Sequence, residues 1–199
     1  MHHKPDVFKP KWIKNCIMPE YRRFRVEGGV YFFTVVTYQR RPILVDPTAR
    51  MLLHTAWEDT KRRFPFDTIA VCLLPDHLHC IWKLPELDSN YSIRWKEIKY
   101  QFTVGYLKEI GHGEERNESR QKRQEAAIWQ RRFWELTIDS EDDFENHFDY
   151  IHYNPVKHGL AERAVDWEWS SFHRYVKEGF YDADWVGGDE GRFKGFEFD

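Results

Sequence analysis

Cysteine is scarce: Cys16, Cys72 and Cys80 are far apart and no two form a CxxC pair. That spacing supports neither a disulfide framework nor a zinc–thiolate site. The apolar, strand-like runs around Cys72 and Cys80 fit free thiols acting as small core residues. Long apolar runs are missing too, since none approaches the roughly 18 to 20 residues needed to cross a bilayer. Met1 to Met18 alternates lysines with bulky residues and has no apolar h-region, so no secretory signal is expected. The compartment these absences predict is the cytoplasm, with no membrane partner. There is no internal repeat and no low-complexity segment, and 41% hydrophobic with 32% charged residues argues against disorder. An excess of positive charge is also lacking: 30 lysines and arginines face 33 aspartates and glutamates, for a formal net charge of −3.

Net charge hides its distribution. The N-terminal arm carries Lys4, Lys9, Lys11, Lys14, Arg22, Arg23 and Arg25, and the stretch from Arg94 to Arg132 is also net basic. Tyr181 to Asp199 sets six acidic residues against Arg192 and Lys194. Local basic surfaces, rather than overall pI, decide phosphate binding. The chain therefore divides into a basic arm over residues 1–29, one domain over 30–180, and an acidic tail over 181–199. A length of 199 residues suits one good core. Aromatic content is high, with nine tryptophans; most rings belong in the core, and some would serve as stacking platforms for unpaired bases.

Val30 to Tyr38, rich in β-branched and aromatic residues after Gly28-Gly29, predicts a central strand. Thr48 to Phe64 has helical spacing of apolar residues, with Asp46 as N-cap, Pro47 in the first turn and Pro65 as the stop. Phe66 to Leu74 and His77 to Leu84 predict two strands joined tightly at Pro75-Asp76, a hairpin. Ser92 to Ile110 is an amphipathic helix with Ile93, Ile98, Phe102, Tyr106 and Ile110 on one face. Gly111 to Gln124 is an exposed loop or a frayed continuation of that helix. Ile128 to Ile138 predicts a fourth strand. Asp139 to Tyr153 predicts a helix that starts on Ser140 and Asp143 and ends against Pro155. A last short helix is expected near Ser170 to Glu178. The order β-α-β-β-α-β is the split βαβ, ferredoxin-like α+β arrangement. It implies an antiparallel sheet of four to five strands with helices on one face, plus a C-terminal helix that carries Tyr150.

Three features carry chemistry. His77 and His79 stand two apart on a strand, so they share a face and can hold one metal ion. Tyr150 and Asn154 stand four apart on a helix and also share a face; a phenol and an amide there suit a nucleophile beside a metal ligand, or simply a helix end in which Tyr150 packs and Asn154 caps. Trp129, Arg131 and Arg132 interleave aromatic and basic side chains, which suits a nucleic-acid-facing edge and suits an ordinary sheet edge nearly as well. Each feature alone is weak.

Together they resemble the HUH single-tyrosine transposases, and more closely their REP-associated branch. The resemblance is carried by Leu74-Pro75-Asp76-His77-Leu78-His79, by Trp129-Gln130-Arg131-Arg132-Phe133, and by the run from Tyr150-Ile151-His152-Tyr153-Asn154-Pro155 to Gly159-Leu160. It spans about Val30 to Leu160. Relatives often have a basic residue where this chain has Leu136. The resemblance implies a metal-dependent endonuclease and strand transferase for single-stranded DNA, with Tyr150 forming a 5′-phosphotyrosine intermediate. It implies His77, His79 and Asn154 as ligands of Mg²⁺ or Mn²⁺, and DNA contacts from Trp129, Arg131, Arg132, Lys157, Arg22 and Arg23. The implied partner is single-stranded or hairpin DNA of the REP type, met by a monomer or homodimer associated with the nucleoid. Two alternatives stay open: a non-catalytic single-stranded nucleic-acid-binding module, and a transposase relative that binds but no longer cleaves. The RRM signature, common among ferredoxin-like RNA binders, is absent.

Overall fold

The computed structural model describes residues 25–111 and 116–187. Four strands form one antiparallel sheet: β1 (Val30–Val36), β2 (Asp67–Leu73), β3 (His77–Lys83) and β4 (Trp134–Ile138). Their order across the sheet is β2-β3-β1-β4. β1 is central and buried along its whole length, so successive side chains feed two different cores. Tyr31, Phe33 and Val35 join Leu78, Cys80 and Trp82 on one face; Val30 and Phe32 join Cys72 and Ile81 on the other.

Two helices cover the first face, α1 (Pro47–Arg63) and α2 (Tyr91–Glu109). α1 starts as expected: the Asp46 carboxylate accepts from the Ala49 amide and Pro47 opens the first turn. The core beneath is aromatic, with Trp82 stacked on Trp95 at 4.3 Å and Trp57 edge-on to both. α1 and α2 approach closely at Gly105, where a Cβ would lie 2.8 Å from Leu52. α2 ends its buried stripe at Tyr106, and Ile110 is exposed. A short helix, α3 (Glu118–Lys122), lies within the segment expected to be a loop.

The second face is covered by α4 (Glu141–Lys157) and α5 (Phe172–Lys177). α4 begins on Ser140, whose hydroxyl accepts from the Asp143 amide. It does not end at Pro155. Proline lacks the N–H that would bond the carbonyl of Ile151, but one missing bond in a last turn is tolerable. The chain keeps helical form to Lys157, where the His158 amide bonds Asn154.

Three boundaries read from sequence move. The fourth strand is interrupted, because Thr37 pairs with Trp129 while Thr34 pairs with Trp134. Five steps on one strand therefore oppose three on the other, and the surplus loops out at residues 131–133. At the other end, the core does not stop at Phe180. Tyr181 is buried, its hydroxyl donates to the Asp149 carboxylate at 2.6 Å, and Trp185 packs on Phe172. Likewise, residues 25–29 dock on the domain: both the amide and the carbonyl of Val26 bond the Tyr31 hydroxyl, and the Gly28 amide bonds Asp88. Arg22 and Arg23, and the tail beyond Gly187, lie outside the described residues. Among those described, no helix is long and apolar enough to cross a membrane.

Tyr181 gives the first test. A chain ending at Phe180 loses a buried ring and a hydrogen bond of Asp149, and should be less stable by about 3 to 5 kcal/mol. A chain ending at Gly187 keeps both and should be the more stable of the two by that amount. Urea unfolding of the two truncations measures the difference.

Candidate active site at the β3–α4 interface

The register of β1 and β3 sets the site. Thr34 lies directly across from His79, and Val36 across from His77. Both histidines face α4, and both are buried. Each ring is held through Nδ1, His79 by the Thr34 hydroxyl at 2.8 Å and His77 by the Asp76 carboxylate at 2.6 Å. Either ring would therefore meet a metal ion through Nε2. Burial opposes ionisation of Asp76, but hydrogen bonds from His77 and Arg40 outweigh it and hold the carboxyl below its ordinary value.

α4 runs across these two rings. Tyr150 meets His79 edge-on, ring centroids 5.3 Å apart, and also contacts Phe32. Two turns on, His158 meets His77 at 5.5 Å. Asn154 lies between Tyr150 and His158 on the same helical face. Its side chain is buried, and among the described residues neither Oδ1 nor Nδ2 has a hydrogen-bond partner. A buried amide without partners is costly, and such a group calls for an explanation such as a bound ion, a water or a catalytic role. Tyr153 faces elsewhere, against Trp185 and close to Gly187.

The donors these elements offer are the two imidazoles, whose ring centroids are 4.9 Å apart on β3, and the buried amide of Asn154 on α4. Among the described residues there is no group of three or more His, Cys, Asp or Glu able to hold a metal. An ion bound here would complete its shell with water or substrate oxygen, as suits hard cations such as Mg²⁺ or Mn²⁺. Cys72 and Cys80 are buried free thiols, and burial pushes both well up from the ordinary range; Cys16 lies outside the described residues.

Tyr150 is 0% exposed. Lys157, itself exposed, donates from Nζ to the Tyr150 hydroxyl at 3.1 Å and stands 4.9 Å from the ring centroid. A positive charge thus sits on the phenolic oxygen, and Lys157 belongs to the tyrosine site as much as to any DNA surface.

Of the residues expected to meet DNA, Arg131 and Arg132 are exposed on the looped-out segment rather than on a strand. Arg131 pairs with Glu125 at 2.7 Å. Trp129 is corrected: it is 5% exposed, packed on Phe102 at 4.9 Å, and its face is closed to a base. The backbone around it is fastened from inside, since buried Arg120 donates to the Ala126 and Trp129 carbonyls and Lys99 to that of Gln130. Burial, helped by the charge of Arg120, pushes Lys99 down to about 8. Trp134, which is exposed on β4, closes the aromatic–arginine run read from sequence but was given no role of its own, nor were Asp76 and His158. Asp76 was legible as a carboxylate beside an HxH strand; His158 and Trp134 carried no separate signal.

A histidine pair on a central strand, facing a tyrosine helix laid over a ferredoxin-like sheet, is the arrangement of a single-tyrosine HUH transposase. The family model described as "Transposase IS200 like" matches residues 25–154, and the chain belongs to that family, within its REP-associated tyrosine transposases. A Haemophilus influenzae protein whose name assigns it to that group is 46% identical over 179 residues, covering 89% of this chain and 99% of the relative. The REP-associated tyrosine transposase of Escherichia coli K12 is 44% identical over 171 residues, covering 85% and 92%. A solved REP-associated tyrosine transposase, bound to a REP hairpin, is 40% identical with a TM-score of 0.68, covering 87% and 96%.

The amide of Asn154 generates a test that needs no substrate. Asn154→Leu keeps the volume and removes two partnerless polar atoms, so in EDTA it should stabilise the fold by about 1 to 3 kcal/mol. A loss of stability in urea unfolding would mean that the amide is satisfied after all.

Proposed function

We propose that the chain cuts and rejoins single-stranded DNA with a divalent metal ion, using Tyr150 as nucleophile. The observation that carries this is the meeting of Tyr150 with His79, with the partnerless Asn154 amide one turn further along the same face. The phenolic oxygen attacks phosphorus, the P–O3′ bond breaks, and the departing 3′ oxygen takes up the proton that the phenol releases. The 5′ phosphate stays on Tyr150. One ester replaces another, so a second 3′-OH can reverse the step without a nucleotide cofactor. His77, His79 and Asn154 would hold Mg²⁺ or Mn²⁺, which when bound polarises the scissile phosphate and offsets its charge. The ammonium of Lys157 keeps positive charge on the phenolic oxygen, the bridging atom of the intermediate.

For DNA contact, exposed Arg131, Arg132 and Lys157 supply positive charge, joined by Arg22 and Arg23 of the arm. Trp129 is not part of that surface. The relative bound to a REP hairpin supports hairpin DNA as the substrate class. The complete burial of Tyr150 favours one other reading, a protein that binds such DNA without cleaving it.

Incubation with single-stranded hairpin DNA and Mn²⁺, followed by a denaturing gel, separates the two. A slow-migrating covalent adduct is expected, abolished by EDTA, by Tyr150→Phe, and by His77→Ala or His79→Ala. Tyr153→Phe should keep most of it. Retarded DNA on a native gel with no adduct under any metal would leave the binding protein. Binding should weaken steeply with salt, and Arg132→Ala should reduce the slope of log K against log salt by about 1.

A further inference from the structure

Where β1 ends and β3 begins, His77 is joined to two side chains, Asp76 and Arg40, that the scheme above does not use. One oxygen of Asp76 accepts from His77 Nδ1 at 2.6 Å, and the other accepts from Arg40 Nη1 at 3.0 Å. An ionised carboxylate can only accept, so His77 must carry its hydrogen on Nδ1, and in the neutral ring the lone pair is then on Nε2. The three residues grade from surface to interior: side-chain exposure is 40% for Arg40, 19% for Asp76 and 2% for His77.

Arg40 reaches Asp76 across 36 positions of sequence by an uncommon backbone path. Gln39 and Arg40 both have positive φ, 55° and 52°, a left-handed conformation that side chains other than glycine rarely adopt and that persists only where surroundings enforce it. Thr37 enforces it. Its amide donates to the Asp76 carbonyl at 2.8 Å, and its hydroxyl proton is shared between the carbonyls of Asp76 and Arg41. The Leu44 amide adds a bond to the Pro75 carbonyl. The strained turn is thus tied to the backbone of the residue whose side chain its arginine grips.

We propose that Asp76, gripped by Arg40, is the positioning residue for His77, fixing the rotation and tautomer of that ring so that Nε2 is presented to a metal ion. This rests on the proposed role of His77 as a metal ligand. A neutral imidazole exchanges between two tautomers, and only one places the lone pair on Nε2. A carboxylate on Nδ1 selects that tautomer and makes the ring a better donor. The second oxygen, held from the opposite side by Arg40, keeps the carboxylate plane from rotating away. Asp76 touches neither metal nor substrate, so it acts only through His77.

Two readouts on the full-length chain test this: long-range ¹H–¹⁵N spectra of the histidine rings without metal, and titration with Mn²⁺ alone followed by electron paramagnetic resonance. The wild-type His77 ring should show the Nδ1–H tautomer. Asp76→Ala should lose it and move the Mn²⁺ midpoint about 10- to 100-fold higher. Asp76→Asn, which still offers an acceptor, should recover part of both. Arg40→Ala should keep the tautomer and weaken Mn²⁺ binding less than Asp76→Ala does. Thr37 bonds the backbone carbonyl of Asp76, so these variants should stay folded, as a circular-dichroism melt verifies. A wild-type tautomer in Asp76→Ala, with a Mn²⁺ midpoint within about twofold of wild type, overturns the positioning role while His77→Ala still abolishes binding. Unchanged Mn²⁺ binding in His77→Ala would remove the metal site itself, and this role of Asp76 with it.

Discussion

The pairing of β1 with β3 is the constraint on which the site depends. Thr34 opposite His79 and Val36 opposite His77 put both imidazoles on the α4 face, while Phe33, Cys80 and Trp82 go to the α1–α2 face. A slip of one residue would exchange the two sets. It would drive the imidazoles towards Trp57 and Trp95 and would turn Trp82 towards α4. Burying one large aromatic side chain stabilises a fold by about 1.5 to 3 kcal/mol, and several rings would lose their places together. The aromatic packing of one face thus holds the polar geometry of the other. The cost of burying two imidazoles is offset locally, by Thr34 and by Asp76.

α4 serves two sides at once. One face carries Tyr150 and Asn154 towards β3; another buries His152, whose Nδ1 lies 3.2 Å from the Tyr181 hydroxyl and whose Nε2 lies 2.8 Å from Ser171. Ser171 in turn bonds the backbone of Val71 on β2, and Tyr181 bonds Asp149. The helix is therefore fastened to the sheet edge and to the C-terminal segment through polar groups that accept only narrow geometries. That fixes its rotation about its own axis, which apolar packing alone specifies less well. Rotation matters because Tyr150 and Tyr153 are three residues apart, and only the first faces His79.

What could be read from sequence was what local periodicity dictates. The shared face of His77 and His79 follows from the alternation of a strand, and that of Tyr150 and Asn154 from the turn of a helix. The order of elements, and Asp46 and Ser140 as caps, followed from propensities that tertiary structure did not override. Features set by distant parts of the chain were not legible. Trp129 sits in a pattern that fits a stacking platform and is buried because Phe102 and Arg120 fix it from elsewhere. The break before β4 appears only when the pairings of Thr34 and Thr37 are compared. Tyr181 heads an acidic stretch, yet its ring belongs to the core. Arg40 meets Asp76 only because Gln39 and Arg40 adopt a backbone that their residue types do not favour.

On the proposed mechanism, the burial of Tyr150 decides what must yield. In-line attack needs the phenolic oxygen within about 3 to 3.5 Å of phosphorus, and that oxygen now holds the ammonium of Lys157. The walls around the ring are unequal. Phe32 and His79 lie on the two central strands, where displacement would disturb both cores. Lys157 is exposed at the last residue of α4, two residues beyond a proline that removes one helical bond from the final turn. Local opening concentrates where buried apolar contacts are few, backbone hydrogen bonds are exposed and element ends are near. Tyr150 can therefore be uncovered by movement of the Lys157–His158 end, leaving the register of β1 and β3 undisturbed. An incoming phosphate would meet Lys157 first, and its negative charge would compete with the phenol for the same ammonium.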